Sequence, residues 1–242
     1  MMEQRPSLRQ RRELSQIMQT ALNVYGQNFS VLFRIACVVI PLGIAAGIFQ
    51  TSIDNDAVAV SVVAVIGLGQ IAVNLLASAA IISAIVDIEG GRAPDFARAY
   101  DAAFARFWTL VLAVLRATFH VLLFAITIVG LPWAVQRAVR WVFVEQAVML
   151  GGLAPKESLS HSAETVIGSW WRTLGVWLLI SVTAFVPALI VGAAFALAPV
   201  AVSSTATAVI DALALPFLVL ALTLLYFDLS ARKESHDLVA VA

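Results

Sequence analysis

The stretch PWAVQRAVRWVFVEQAVML, residues 132–150, has the length and apolar content of a membrane span, yet it carries Arg137, Arg140 and Glu145. An arginine at the centre of a span costs about 2.5–3.5 kcal/mol on an insertion scale, so the two together cost roughly 5–7 kcal/mol. The surrounding Leu, Val and Phe residues recover less, at about 0.3–0.6 kcal/mol each. Such a helix does not insert comfortably alone. Gly130-Leu131-Pro132 reads as a tight turn, which makes the preceding apolar run its natural antiparallel partner. Counting about 1.5 Å per residue from the inner surface puts Arg116 about 14 Å deep, Arg140 about 15 Å, His120 and Arg137 about 20 Å, and Glu145 about 8 Å. The sequence therefore predicts an intramembrane charged cluster of Arg116, His120, Arg137, Arg140 and Glu145. Two readings of it stand: Glu145 ties the arginines down as a structural pair, or the excess positive charge holds a phosphate or other anion.

Composition carries the same message along the whole chain. Of 242 residues, 61% are hydrophobic and 12% charged, and the mean hydropathy is +0.94. That is the composition of an integral membrane protein, and the loops are too short for a separate soluble catalytic domain. The formal net charge of zero offers no bulk field for nucleic acid. Cys37 stands alone, so no internal disulfide forms. The segment MMEQRPSLRQRRELSQ precedes any apolar run, later than the hydrophobic core of a cleaved signal would begin, so the first run is read as a retained span.

Six spans are expected, at roughly 30–49, 57–86, 107–130, 131–150, 173–198 and 205–227. Lys and Arg outside them cluster in the N-terminal segment (Arg5, Arg9, Arg11, Arg12), in 87–106 (Arg92, Arg98, Arg106), in 151–172 (Lys156, Arg172) and in the tail (Arg232, Lys233). The opposite connections, QTSIDNDA, the turn at Gly130 and PVAVSS, have none. The positive-inside rule then places both termini in the cytoplasm.

The basic segments carry apolar stripes at helical spacing, Leu14-Ile17-Ala21-Tyr25, Phe96-Tyr100-Ala103-Phe107 and Leu159-Ala163-Val166-Trp170. They read as amphipathic helices flat on the inner leaflet, with Pro94 and Pro155 in first turns and Tyr25, Phe29, Phe107, Trp108, Trp170 and Trp171 as interfacial anchors. Ala21, Ala99 and Ala163 are each followed eight residues on by an aromatic and eleven on by Leu. The expected fold is thus all-α, a single integral domain over 1–242. Three pseudo-repeats, roughly 7–86, 93–150 and 155–228, each place an interfacial helix before a transmembrane hairpin. Gln70 and Asn74 read as interhelical hydrogen bonders, and Asp211 as a shallow outer residue reaching water.

No catalytic signature accompanies this pattern. His120, His161 and His236 are dispersed, and neither a metal-ligand spacing, a nucleophile elbow nor a phosphate-binding loop occurs. No cofactor or metal is expected.

The run IVGLPWAVQRAVRWVFVEQAVML, the following amphipathic helix with Ser162 and the Trp170-Trp171 pair, and the ending LLYFDLSARKE resemble the membrane domain of glycerophosphoryl diester phosphodiesterases and of related standalone bacterial multi-span proteins. Gly130, Pro132, Arg137, Arg140, Trp141, Glu145 and Ser162 match best. The resemblance implies a multi-pass bundle in a bacterial cytoplasmic membrane, and the soluble barrel that carries phosphodiesterase chemistry in the full-length enzymes has no counterpart here. The expected function is that of a non-enzymatic inner-membrane protein binding or organising lipids or a partner membrane protein, including a second copy of the chain. The alternatives are a transporter or channel for a small anionic solute or lipid, and an enzyme of unrecognised type.

Overall fold

A computed structural model describes residues 8–51, 57–195 and 197–241, with side chains described to Lys233; Arg5, His236 and most of the QTSIDNDA connection lie outside what it describes. The described residues form helices joined by short turns: α1 (Leu14–Gln27), α2 (Phe29–Ala36), α3 (Ile40–Thr51), α4 (Ala57–Glu89), α5 (Phe96–Ala105) and α6 (Phe107–Ala125), then α7 (Leu131–Arg140), α8 (Val144–Gly151), α9 (Pro155–Val166), α10 (Trp170–Ala194) and α11 (Val200–Val241). The protein is an all-α, polytopic helical membrane protein. Among the described residues five stretches are long and apolar enough to cross a bilayer: Phe29–Phe49, Ala64–Glu89, Phe107–Ala125, Trp170–Ala194 and Val200–Lys233.

The expected span at 131–150 is the exception. It is broken at Trp141–Phe143 into α7 and α8, ten and eight residues long, each too short to cross alone. The sequence explains the break. Trp141-Val142-Phe143-Val144 is a run of β-branched and aromatic residues, which are weak helix formers. α7 itself is strongly amphipathic.

The core is built on α4 and α11, whose apolar stretches are 61% and 56% buried against 11% for α6 and 12% for α10. Small residues allow the close approaches. A Cβ on Gly47 of α3 would collide with the Ser204 side chain of α11. Arg172 at the start of α10 reaches Asp228 late in α11, and Leu178 and Phe185 share a cleft with Leu218 and Asp211, so the two helices run antiparallel.

One end of this bundle gathers the basic segments. Arg9 pairs with Glu89 (2.8 Å), Arg92 with Asp87 (2.9 Å), and Lys233 with Glu164 (4.0 Å). The middle unit lies across this basic end. The Arg140 carbonyl meets Ser162, Phe143 packs on Tyr226 with ring centroids 5.7 Å apart, and Trp133 and Gln136 border a cavity with Trp170 and Trp171. Both ends of α7 are therefore level with the start of α10. α6 packs antiparallel to it, with His120 beside Trp141. The depth counting for Arg137 and Arg140 assumed a hairpin running alongside α10 and α11, whereas the contacts of α7 beyond the hairpin lie at the start of α10 and on α9.

The amphipathic helices also depart from expectation. Ile17, Ala21, Tyr100, Ala103, Leu159 and Val166 are buried in the protein core, so much of each stripe faces the bundle rather than a leaflet. Long extensions of α4 and α11 supply the apolar surface they cover. α1 leans along α11 from Arg12 at Asp228 to Tyr25 at Leu213. Pro155 starts α9 as expected, whereas Pro94 precedes the α5 cap, Asp95, whose side chain accepts from the Arg98 N–H (3.0 Å).

Each of these helices gives a hydroxyl to the backbone of another unit, and two of the three bonds fall at a helix irregularity. Tyr25 of α1 donates to Leu213 O (2.9 Å) in the turn of α11 before Pro216, which tethers α1 to the third unit although α11 is continuous there. Tyr100 of α5 donates to Ile35 O (2.7 Å), where α2 gives way to a 3-10 turn at Cys37–Val39. Ser162 of α9 donates to Arg140 O (2.8 Å) and accepts from Phe143 N–H (3.2 Å), bridging the α7–α8 break. First unit binds third, second binds first, third binds second. Backbone groups freed by helix irregularities require such partners when buried.

Candidate functional site

The predicted charged cluster comes together only in part. The Arg137 guanidinium lies over the Trp141 ring at 5.3 Å, a cation–π contact. His120 stands edge-on to Trp141 at 5.7 Å and its Nδ1 lies 2.7 Å from Arg116 O. Glu145 lines a cavity of about 290 Å³ with Val114, Thr118, Val121 and Trp141. Among the described residues none of Arg116, Arg137 and Arg140 comes within 4.0 Å of its carboxylate, so the expected ion pair is not formed. Arg116 and Arg137 are exposed and Arg140 is half-buried. The crosswise hairpin explains this, since arginines at the end of a bundle reach polar surroundings without an internal partner.

Around these arginines the hairpin is apolar and open. Trp108 is 73% exposed, Phe119 58%, Ile128 86% and Trp133 53%. The other expected anchors divide. Trp171 and Phe29 are exposed, Tyr25, Phe107 and Trp170 half-buried, and the Trp170 Nε1–H is buried with no acceptor. The loop entering α6 is fixed from the other side of the hairpin. Gly152 has φ +65°, and Arg106 Nη1 donates to Val148 O (2.6 Å) beneath it. A Cβ at 152 would come within 2.9 Å of that guanidinium, so this C-cap requires glycine.

A second arginine-rich site was not singled out from sequence. Asp228 has a side chain 0% exposed. It accepts from Arg12 N–H (2.7 Å), from Arg172 Nη2 (3.0 Å) and from Arg232 Nε (2.9 Å). Arg172 and Arg232 also donate to Arg12 O, at 2.6 and 3.0 Å, and the Arg12 guanidinium donates to Leu8 O. Burial pushes the Arg12 guanidinium below its usual value, and the Asp228 charge opposes that. One buried carboxylate thus joins the N-terminal segment, the start of α10 and the end of α11. The available signal was the acid within the apolar run LLYFDL, with Arg232 four residues after it.

Beside this node lies a cavity of about 380 Å³. Its polar lining includes Thr165, Ser230 and a His161–Tyr226 pair at 2.9 Å, with Arg9 and Lys233 also on its wall and Leu150 and Phe227 as apolar surface. The amphiphilic lining suits a molecule with an anionic head and an apolar body. Among the described residues no three metal-ligating side chains converge. No family model, curated protein or solved structure matches the chain.

Proposed function

We propose that this is a non-enzymatic multi-pass membrane protein that binds anionic phospholipid at its basic end, organising lipid or presenting it to a partner membrane protein. The observation that carries the reading is the crosswise α6–α7 hairpin, which exposes Arg116 and Arg137 among Trp108, Phe119 and Trp133. An apolar face with aromatics and arginines suits the headgroup layer, where rings sit at the boundary and guanidinium groups grip phosphate bidentately. The basic end would face the cytoplasm, because extramembrane Lys and Arg collect there. The likeness of the Gly130–Ser162 segment to phosphodiesterase membrane domains, read from its residues alone, supports a membrane-embedded module separate from any catalytic barrel.

The test is native mass spectrometry of gently extracted protein reconstituted with equal amounts of phosphatidylglycerol and phosphatidylcholine. The wild type is expected to retain the anionic lipid preferentially, and an Arg116→Gln/Arg137→Gln/Arg140→Gln variant to lose that preference at least tenfold. Equal retention by both proteins overturns the proposal.

A further inference from the structure

Far from the basic end, α10 and α11 open a cleft of about 540 Å³ whose walls include Leu178, Val182, Phe185 and Leu218. Asp211 of α11 and Asn74 of α4 both line it, with Ser181 nearby. Asp211 lies seventeen residues before Asp228, about 25 Å along the helix, within the apolar stretch Val200–Lys233 but toward the end opposite the basic one, and its side chain is exposed at the cleft. Among the described residues it has no basic partner within 4.0 Å. Asn74, expected to bond a neighbouring helix, has no side-chain hydrogen bond there, and the Gln70 Oε1 one turn away is buried without a donor.

We infer that this cleft is a binding site for a hydrophobic organic cation, with Asp211 as counter-charge, Asn74 as hydrogen-bond acceptor and Phe185 as an aromatic face. A volume of this size suits a small organic ligand. An unpaired ionisable residue within a membrane span is a functional-site signal, and a carboxylate in a low-dielectric cleft selects positive charge. Phe185, 66% exposed, offers the cation a ring. The inference goes beyond the lipid reading, since its ligand has the opposite charge and a different place.

Equilibrium dialysis of the detergent-solubilised full chain, corrected against empty micelles, tests it with 1-aminoadamantane and the neutral isostere 1-adamantanol. The wild type should bind the amine at least tenfold more tightly than the alcohol, Asp211→Asn should abolish that preference, and Phe185→Ala should weaken both ligands. Unchanged thermal unfolding of Asp211→Asn separates lost recognition from lost structure. Equal binding of amine and alcohol by the wild type, no measurable binding of either, or a cation preference that survives Asp211→Asn overturns the inference.

Discussion

Two parts of this molecule place several arginines near a single carboxylate, and they behave in opposite ways. Around Asp228 the carboxylate is sealed, three chain segments converge on it, and its oxygens accept from Arg12, Arg172 and Arg232. Around Glu145 the carboxylate borders a mostly apolar cavity and the arginines turn away, Arg137 to the Trp141 ring and Arg116 to the outside. The difference is one of geometry rather than composition. Asp228 sits where the N-terminal segment, α10 and α11 cross, so partners distant in sequence arrive from several directions. Glu145 sits on one side of a helical hairpin, where the arginines share its own hairpin and lie nearer the open face. A count of charges at similar depth does not distinguish a node from a fringe; the number of chain segments that meet there does.

The largest effect should follow from opening the sealed node. Asp228→Asn removes the counter-charge that Arg172 and Arg232 share beside a buried backbone, and removing one partner of a buried pair costs about 3–5 kcal/mol. Partial exposure of both guanidinium groups, at 30% and 39%, places the expected loss toward the lower end. Chemical unfolding in detergent measures it, and a loss below about 1 kcal/mol would show that the node is no tighter than an ordinary surface pair.

Next come the hydroxyls at helix breaks. Ser162→Ala strands Arg140 O and Phe143 N–H, where an unsatisfied buried group costs about 1–3 kcal/mol. Ser162→Thr should retain most of the stability, provided its methyl fits. Equal stability of the Ala variant would mean that the α7–α8 break is set by its own β-branched and aromatic residues alone.

Tyr100→Phe is expected to cost about 1 kcal/mol through the bond to Ile35 O, and its effect should depend on pH. Burial pushes the Tyr100 hydroxyl up to about 12, above the unfolded value near 10. The unfolded chain therefore loses this proton first, and the stability held by the neutral hydroxyl is present below about pH 10 and lost progressively toward pH 12. Unfolding curves between pH 8 and 12 should show a steeper decline in the wild type than in the Phe variant; parallel declines would place the ionisation elsewhere.

Much of the architecture was legible in the sequence because it depends on local pattern. Apolar runs marked the five long helices, stripes at helical spacing marked α1, α5 and α9, and the collection of Arg and Lys in alternate connections marked one end of the bundle. What escaped depends on contacts between distant segments. Nothing local to Asp228 reveals that Arg12 and Arg172 arrive beside it, and nothing local to Ser162 reveals two unpaired backbone groups at residues 140 and 143. The 131–150 segment is not one long helix because weak helix formers around Trp141 break it, and depth arithmetic assumed that an antiparallel hairpin must run along the bundle. The amphipathic pattern of α7 was the better guide to its crosswise course.

The smallest expected effect belongs to the residue that first drew the segment into question. A structural ion pair predicts that Glu145→Gln strands buried positive charge and costs several kcal/mol. In the structure no arginine pairs with Glu145, so the substitution removes a charge from a mostly apolar cavity and leaves no partner uncompensated. Stability should therefore stay within about 0.5 kcal/mol of wild type. The double substitution Arg140→Gln/Glu145→Gln sharpens the contrast. If the side chains are independent, the two single effects add within about 0.5 kcal/mol, whereas a hidden pair gives a coupling of 1 kcal/mol or more. Applied to Arg172 and Asp228, the same cycle should give the large coupling. A large coupling at Glu145 together with a small one at Asp228 would reverse the assignment of which arginine cluster holds the fold and which is open to lipid.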